Sequence, residues 1–421
     1  MLTVFNQSLW GDEAFSAILS MKPVTDIITI IIHDTSPPLF NLTEHFWFKI
    51  FGSSEIAIRV LVFIYFLIAV FFVYKIGEYF WGKKTGLIAA ALTFLNVFLF
   101  AYGFEGRMYS LLLATVTASF YFFIKKDWLK YVIATTLALY SHHFAIFAVF
   151  VQGLWFLKEF FCGKRKDAIS ILKSFVIIGL LYSPWLYPLY LQTKMVGGGF
   201  WLGQPGIKEL GILLLAYLNI SLILLALRRW NKNLNQSTLL AAWFLVPIIV
   251  VWLISQKFQS IFFDRYLVYT IPAAMLLAAS EMRTISKIAL LLVVIAFLSA
   301  DFFYFTHPVK RPFRELASYV LSVKKGDDYL INWNSAAHHL WESKYYKLTA
   351  PLYVSKGVSL PYYVGTALMT KDDIIRDLPS QKNRIGVITS GPVEEVGLAG
   401  YTKGEVKEFG TLKFIWFQKA R

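Results

Sequence analysis

Residues 56–79 read IAIRVLVFIYFLIAVFFVYKIGEY, from Ile56 to Tyr79. About 20 predominantly apolar residues suffice for a helix to cross a bilayer. This stretch is long enough, and Lys75, Lys83 and Lys84 mark its far end. It places the chain in a membrane. The composition agrees: 57% of the 421 residues are hydrophobic and only 16% are charged, where a soluble protein carries roughly a quarter. Mean hydropathy is +0.56. Aromatic residues make up 18%, which suits interfaces where Trp and Tyr rings settle at headgroup depth.

Working outward from this span, apolar and basic segments alternate. Gly86–Tyr102 returns, and Met108–Ile124 crosses to Lys125, Lys126 and Lys130. Tyr131–Tyr140 rises to Ser141-His142-His143, and Phe144–Leu157 descends to Lys158, Lys164, Arg165, Lys166 and Lys173. Ser174–Leu191 rises, with Pro184 and Pro188 expected to kink it. Ile207–Leu227 descends to Arg228, Arg229 and Lys232. Leu239–Ile254, Tyr266–Ala279 (ending at Arg283 and Lys287) and Ile288–Tyr304 complete ten expected crossings. Basic clusters fall on alternate turns, which makes those turns cytoplasmic. The net charge of +15 is thereby explained by loops, and nucleic acid is not implied as a partner. Cys162, the only cysteine, can form neither an intrachain disulfide nor a cysteine metal site.

The remaining turns share the outer face. They hold Asp12-Glu13, Glu105-Gly106-Arg107, His142-His143, Lys194–Pro205 and Asp264-Arg265-Tyr266. Before the first span, Ala14–Met21 reads as a short helix. Val24–Ile32 is too short to cross and is expected to lie in the interface. Pro37-Pro38 ends that segment, because a proline pushes its predecessor out of the helical region. From Pro308 polarity becomes ordinary. Phe313–Val323 and Ala336–Tyr346 read as helices, and Tyr329–Trp333, Arg384–Thr389 and Leu412–Phe417 as strands. The fold class is therefore mainly α: a polytopic helical bundle with a small outer α/β domain. The expected domains are 1–55, a catalytic loop with interfacial helices; 56–307, the transmembrane part; and 308–421, the soluble tail.

Carboxylates near a membrane are costly without a role. Asp12 and Glu13 project about 100° apart if helical, so they are expected to differ in role. Such a group can deprotonate an acceptor or bind a cation; the plainer reading is a helix N-terminal acid. His33 and Asp34 add acid-base groups to the same loop. Arg107 and Arg265 can hold a phosphate by paired hydrogen bonds, against the plainer reading of an ion pair between Glu105 and Arg107. His142 and His143 could touch phosphate or metal, or be structural. No H-E-x-x-H, G-x-S-x-G or P-loop pattern occurs, which argues against nucleotide hydrolysis and serine chemistry.

An ordered set of short motifs runs through the membrane part. It comprises Leu9-Trp10-Gly11-Asp12-Glu13-Ala14, Ser36-Pro37-Pro38-Leu39-Phe40 and Trp47–Gly52 with Glu55 and Arg59. It continues through Gly82–Ala90, Glu105-Gly106-Arg107-Met108-Tyr109, Tyr140-Ser141-His142-His143-Phe144, Asp264-Arg265-Tyr266 with Pro272, and Arg311-Pro312-Phe313-Arg314. In these features the chain resembles the GT-C superfamily of integral membrane glycosyltransferases. It is most similar to the protein O-mannosyltransferase-like branch that includes bacterial aminoarabinose transferases of lipid A.

The resemblance implies a sugar moved from a polyprenyl-phosphate donor to an extracytoplasmic acceptor, whether lipid, glycan or protein, with inversion at the anomeric carbon. It implies a multi-pass protein of a prokaryotic plasma membrane, whose partners are membrane lipids and the lipid-linked sugar. Asp12, with Glu13, would be catalytic. Asp34 and Glu105 would support the acceptor or a cation. Arg107, Tyr109, His142, His143, Arg265 and Tyr266 would bind the donor phosphate. No cofactor is implied with certainty; a divalent cation is left open, and metal ligands are unknown.

There are departures. The family carries a span before the acidic pair, so a further helix upstream of Met1 is expected. Thr35-Ser36 stands where the family has a histidine before the prolines, and Gly106 replaces a residue like alanine. The competing readings are a lipid or solute transporter, which would place charges near the bilayer midplane in two related halves, and a non-catalytic scaffold for the outer domain.

Overall fold

The computed structural model describes residues 3–219, 221, 234–281, 287–307, 309–333, 337–379 and 382–420. Arg228, Arg229, Lys232 and Arg283, read above as cytoplasmic charges, lie outside the described residues, as do Pro308 and Ala336. The chain divides into two compact units. A helical unit comprises Ile31–Phe40 and Arg59–Thr306, and a mixed unit comprises Met1–Ile30, Asn41–Ile58 and His307–Arg421.

In the helical unit, the stretch quoted first lies in one helix, Glu55–Trp81. Its side chains Ile64, Leu67, Ile68 and Phe71 remain exposed, as lipid-facing residues must. Gly82, at φ +89°, turns the chain straight into Lys83–Phe94. The two helices meet through glycine. A Cβ on Gly77 would stand 2.8 Å from the Gly86 Cα, so neither position tolerates a side chain at this separation. Three helices among the described residues are long and apolar enough to cross a membrane: Glu55–Trp81, Arg165–Gly197 and Asn235–Lys257. Tyr109–Lys125, Val268–Ser280 and Leu291–Thr306 are apolar but shorter. The chain is a multi-pass membrane protein, though length alone does not reproduce ten crossings.

Two expected spans are interrupted, each for a local reason. Gly86–Tyr102 breaks at Asn96. Its buried side chain accepts the Leu99 N–H at 3.1 Å and donates to the Tyr217 carbonyl at 2.9 Å. It thereby caps a new short helix, Val97–Tyr102. Further along, Arg165–Tyr182 passes through a 3₁₀ turn, Ser183–Trp185, into Leu186–Gly197. Pro184 sits in that turn, where the missing N–H costs least. A polar chain ties Tyr109–Lys125, Trp128–Ser141 and Ala145–Phe161 together. Tyr131 donates to Gln152 at 2.7 Å, Gln152 donates to Ser119 at 2.9 Å, and Ser119 pairs with Thr135 at 2.7 Å. Each of these buried polar groups is thus satisfied.

In the mixed unit, helices Gly11–Ser20 and Leu39–Phe51 are pinned by the buried Ser20. Its hydroxyl donates to Glu44 at 2.7 Å and receives the Asn41 amide at 2.9 Å. The tail forms a six-stranded sheet. Numbering the strands β1 (Tyr329–Trp333), β2 (Leu352–Tyr353), β3 (Ile374–Ile375), β4 (Arg384–Thr389), β5 (Tyr401–Phe409) and β6 (Leu412–Lys419), the order is β3-β2-β1-β4-β6-β5. The pairs β3-β2, β2-β1 and β1-β4 are parallel; β4-β6 and β6-β5 are antiparallel. Strand alternation splits the core in two. Leu330, Ile388, Phe414 and Trp416 pack with helix Phe313–Val323. Ile331, Val387, Ile415 and Phe417 pack with Val396 and Leu398. The expected helix Ala336–Tyr346 is described from His339 to Tyr345.

Candidate active site

The acidic pair opens helix Gly11–Ser20. Glu13 stands at its third position and is fully buried. Its carboxylate accepts the Trp10 N–H at 3.3 Å and lies 3.7 Å from Lys310 Nζ. The same ammonium sits 4.8 Å above the Trp10 ring. Glu13 therefore closes the helix start and balances a cation, much as an N-terminal capping glutamate does. Asp12 meets different surroundings: its side chain is 19% exposed, and its Oδ1 is 3.7 Å from His338 Nδ1. The chain entering this helix is sewn to the tail. Leu9 N–H donates to the Tyr346 hydroxyl at 2.9 Å, which donates to Glu55 at 3.0 Å. Arg314 donates to the Asn6 carbonyl at 2.8 Å and to Glu55 at 3.3 Å.

The helical unit gathers the other candidates. Tyr109 begins helix Tyr109–Lys125 and is buried. Its ring centre is 6.3 Å from Tyr266 and 6.2 Å from His142, while His142 and Tyr266 are 5.2 Å apart. The Arg265 guanidinium lies 5.5 Å from the Tyr109 ring centre and 4.8 Å from that of Phe263. The loop holding Arg265 is fixed by local bonds. Arg265 N–H donates to Asp264 Oδ1 at 2.6 Å, and the Tyr217 hydroxyl donates to the Asp264 carbonyl. Burial raises the Asp264 carboxyl pKa. Burial also holds His142 well below the usual histidine range, reinforced by His143 and by the charges of Arg107 and Arg265. Both arginines are thus felt at one imidazole. The Phe144 N–H donates to His142 Nδ1 at 3.1 Å, which leaves the proton of the neutral ring on Nε2.

His143 is differently engaged. Its Nε2 is 2.7 Å from Gln192 Oε1. The Gln192 amide nitrogen donates to the carbonyls of Ile31 at 2.7 Å and Ser36 at 3.2 Å. Burial holds His143 neutral, with its pKa down to about 4. A neutral imidazole that donates from Nε2 supplies no cation for a phosphate. Its placement makes it a strut for the loop that carries Asp34. Asp34 is buried there and accepts the Ser36 hydroxyl at 3.5 Å. Glu105 is buried, with its carbonyl accepting the Arg107 N–H at 2.6 Å. Among the described residues, no three His, Cys, Asp or Glu side chains group as a metal site.

The structure thus brings Tyr109, His142, Arg265 and Tyr266 into one cluster, within electrostatic range of Arg107, and ties His143 to the loop of Asp34. Sequence reasoning missed Gln192, His338 and Lys310. Gln192 is a lone amide in an apolar run, and Lys310 reads as one tail cation among several. The available signal for His338 was Gly11: a Cβ there would stand 2.5 Å from the His338 Cβ, so that glycine marks a close approach.

The protein family described as dolichyl-phosphate-mannose-protein mannosyltransferase matches residues 35–187. The structure of ArnT from Cupriavidus metallidurans in the apo state superposes with a TM-score of 0.68 at 12% identity, covering 98% of this chain and 94% of that one. The chain shares the fold of that structure. The same ArnT bound to undecaprenyl phosphate is similar to this chain with a TM-score of 0.66 at 12% identity, covering 98% and 96%. A search of curated proteins finds no match. The helical bundle with a small strand-containing tail, expected from hydropathy and pattern, is the fold found here, and it is shared with these ArnT structures.

Proposed function

We propose that this chain is a membrane glycosyltransferase that moves a sugar from a polyprenyl-phosphate donor to an extracytoplasmic hydroxyl or amine, inverting the anomeric carbon. One observation carries the reading. The Arg265 guanidinium lies 5.5 Å from the ring centre of Tyr109, which clusters with His142 and Tyr266, and Arg107 and Arg265, from two separate loops, both help to hold buried His142 below the usual histidine range. Arginine suits a lipid phosphate because its planar fork pairs with phosphate oxygens. The fold neighbour solved with undecaprenyl phosphate supports a donor of that class.

The roles follow from the chemistry. Asp12 takes the proton from the acceptor, whose lone pair forms the bond to the anomeric carbon. The bond from that carbon to the phosphate oxygen breaks, and its electron pair leaves on the phosphate. Arg107 and Arg265 neutralise the charge developing there. Tyr109, Tyr266 and the His142 Nε2–H supply neutral donors. His143, through Gln192, keeps the Asp34 loop in place, and Glu13 holds the start of the Asp12 helix. Asp34 and Glu105 orient the acceptor or a cation.

The test uses purified full-length protein in lipid nanodiscs with a panel of radiolabelled polyprenyl-phosphate sugars, reading release of polyprenyl phosphate. Wild type should consume at least one donor, and Asp12→Asn should be inactive at normal folded yield. An active Asp12→Asn variant removes Asp12 as the base. No turnover of any donor by the wild type overturns the transferase reading.

A further inference from the structure

The tail reaches the acidic pair through one histidine. His338 immediately precedes helix His339–Tyr345, and its Nδ1 is 3.7 Å from Asp12 Oδ1. A histidine near a carboxylate on a surface is commonplace. Two features set this one apart.

First, the approach is built into the backbone. Gly11 is the residue whose missing side chain lets the two segments meet: a Cβ there would lie 2.5 Å from the His338 Cβ and 3.1 Å from its carbonyl oxygen. Second, both partners are anchored from behind. Glu13 and Lys310 hold the start of the Asp12 helix. On the other side, the neighbouring His339 is buried against Glu342 through its own Nδ1, and Trp341 Nε1 donates to the Val364 carbonyl at 2.9 Å. The Trp341 ring also meets Phe15 of the Asp12 helix edge-on at 5.3 Å. His338 itself stays half-exposed at 46%, with Nδ1 toward Asp12.

We infer that His338 is the positioning residue of Asp12, its Nδ1–H orienting the carboxylate so that one oxygen faces the acceptor proton. This rests on the transferase reading above. The separation of 3.7 Å is within ion-pair reach but longer than a hydrogen bond. Such contacts in unliganded sites commonly tighten when substrate binds. The role is electrostatic and geometric; His338 forms no bond to the sugar. It also gives the outer domain a part in the reaction, as the source of a group that completes the acidic site.

The choice of atom gives a sharp test. Asparagine places an amide N–H where His338 has Nδ1, while glutamine places one where it has Nε2. In the donor-consumption assay, His338→Ala should lower kcat at least tenfold with donor KM unchanged. His338→Asn should restore most of the loss, and His338→Gln should not. Equal folded yield and unfolding temperature of the Asn and Gln variants separate this from misfolding. If the Asn and Gln variants behave alike, or if His338→Ala keeps kcat while Asp12→Asn is dead, His338 is not the positioning residue and the transferase reading stands. If Asp12→Asn remains active, that assignment fails and this one with it.

Discussion

Gln192 and His143 form a hinge point between two loops: the imidazole Nε2 lies 2.7 Å from Gln192 Oε1, while the same amide donates its protons to the Ile31 and Ser36 carbonyls. Gln192 is buried, as are Ile31 and Ser36. Gln192→Leu keeps the volume and strands His143 Nε2 and the Ser36 carbonyl, while the Ile31 carbonyl keeps the Asp34 N–H at 3.0 Å. Each unpaired buried group costs about 1–3 kcal/mol, so a loss of about 2–4 kcal/mol is expected after relaxation. A lower thermal unfolding temperature and new protease cleavage within residues 31–38 would show it. Gln192→Glu, which can accept from His143 but cannot donate, should fall between. Unchanged unfolding of Gln192→Leu would remove the strut.

The two buried histidines set a pH dependence. In the fold His143 stays neutral down to about pH 4 and His142 lies well below its ordinary value of 6.5. Unfolded, both would take up protons near pH 6.5. As pH falls below 6.5 the unfolded chain gains protons that the folded chain refuses, so stability is complete above that value and drains away toward pH 4. Thermal unfolding temperature in detergent should therefore drop on acidification from pH 7 to pH 5. His143→Gln retains an N–H at the Nε2 position but cannot titrate, and should show a shallower drop. A flat wild-type profile over that range would contradict the burial of neutral rings.

Arg265 lies over two aromatic rings, and lysine cannot replace that geometry. Arg265→Lys preserves charge but loses the fork and the stacking. Donor KM should rise about tenfold, the worth of about 1.4 kcal/mol from a charge-assisted contact, with acceptor KM unchanged. Arg107→Ala should act in the same direction. If neither variant alters donor KM, both arginines serve local structure instead of the phosphate.

What could be read from the sequence follows from which forces leave a pattern. The Ile56–Tyr79 span, the short helix Val24–Ile32 and strands β1, β4 and β6 rest on runs of apolar residues, which for the strands are demanded by burial in the two cores of the tail. β5 was not legible because nearly every residue in YTKGEVKEF is exposed; it is held by its ladder to β6, which leaves no hydrophobic signature. The break at Asn96 was hidden for the opposite reason, since one capping amide inside an apolar run does not disturb hydropathy. At the site, charged residues at loop ends stood out: Asp12, Glu105, Arg107 and Arg265. Their supports did not, because Gln192 and His338 act through long-range contacts that no spacing encodes.

Sidedness is where the functional reading is most exposed, because acceptor chemistry on the outer face requires the mixed unit to be outside. Impermeant thiol labelling of intact cells decides it. Gly11 would be a poor site for a reporter cysteine, since its side chain would strike His338. Thr25 is exposed on helix Val24–Ile32, and Lys356 is exposed in the tail, where it pairs with the equally exposed Asp377. Cysteines at Thr25 and Lys356 should both label in a Cys162→Ser background. Native Cys162 is exposed on the protein surface beside Lys158, Lys164 and Arg165, a cluster that the positive-inside rule assigns to the cytoplasm. It should label only after the cells are permeabilised. Labelling of Cys162 in intact cells, with Thr25→Cys and Lys356→Cys protected, would invert the topology. The acidic helix would then face the cytoplasm, and transfer to an extracytoplasmic acceptor would be untenable.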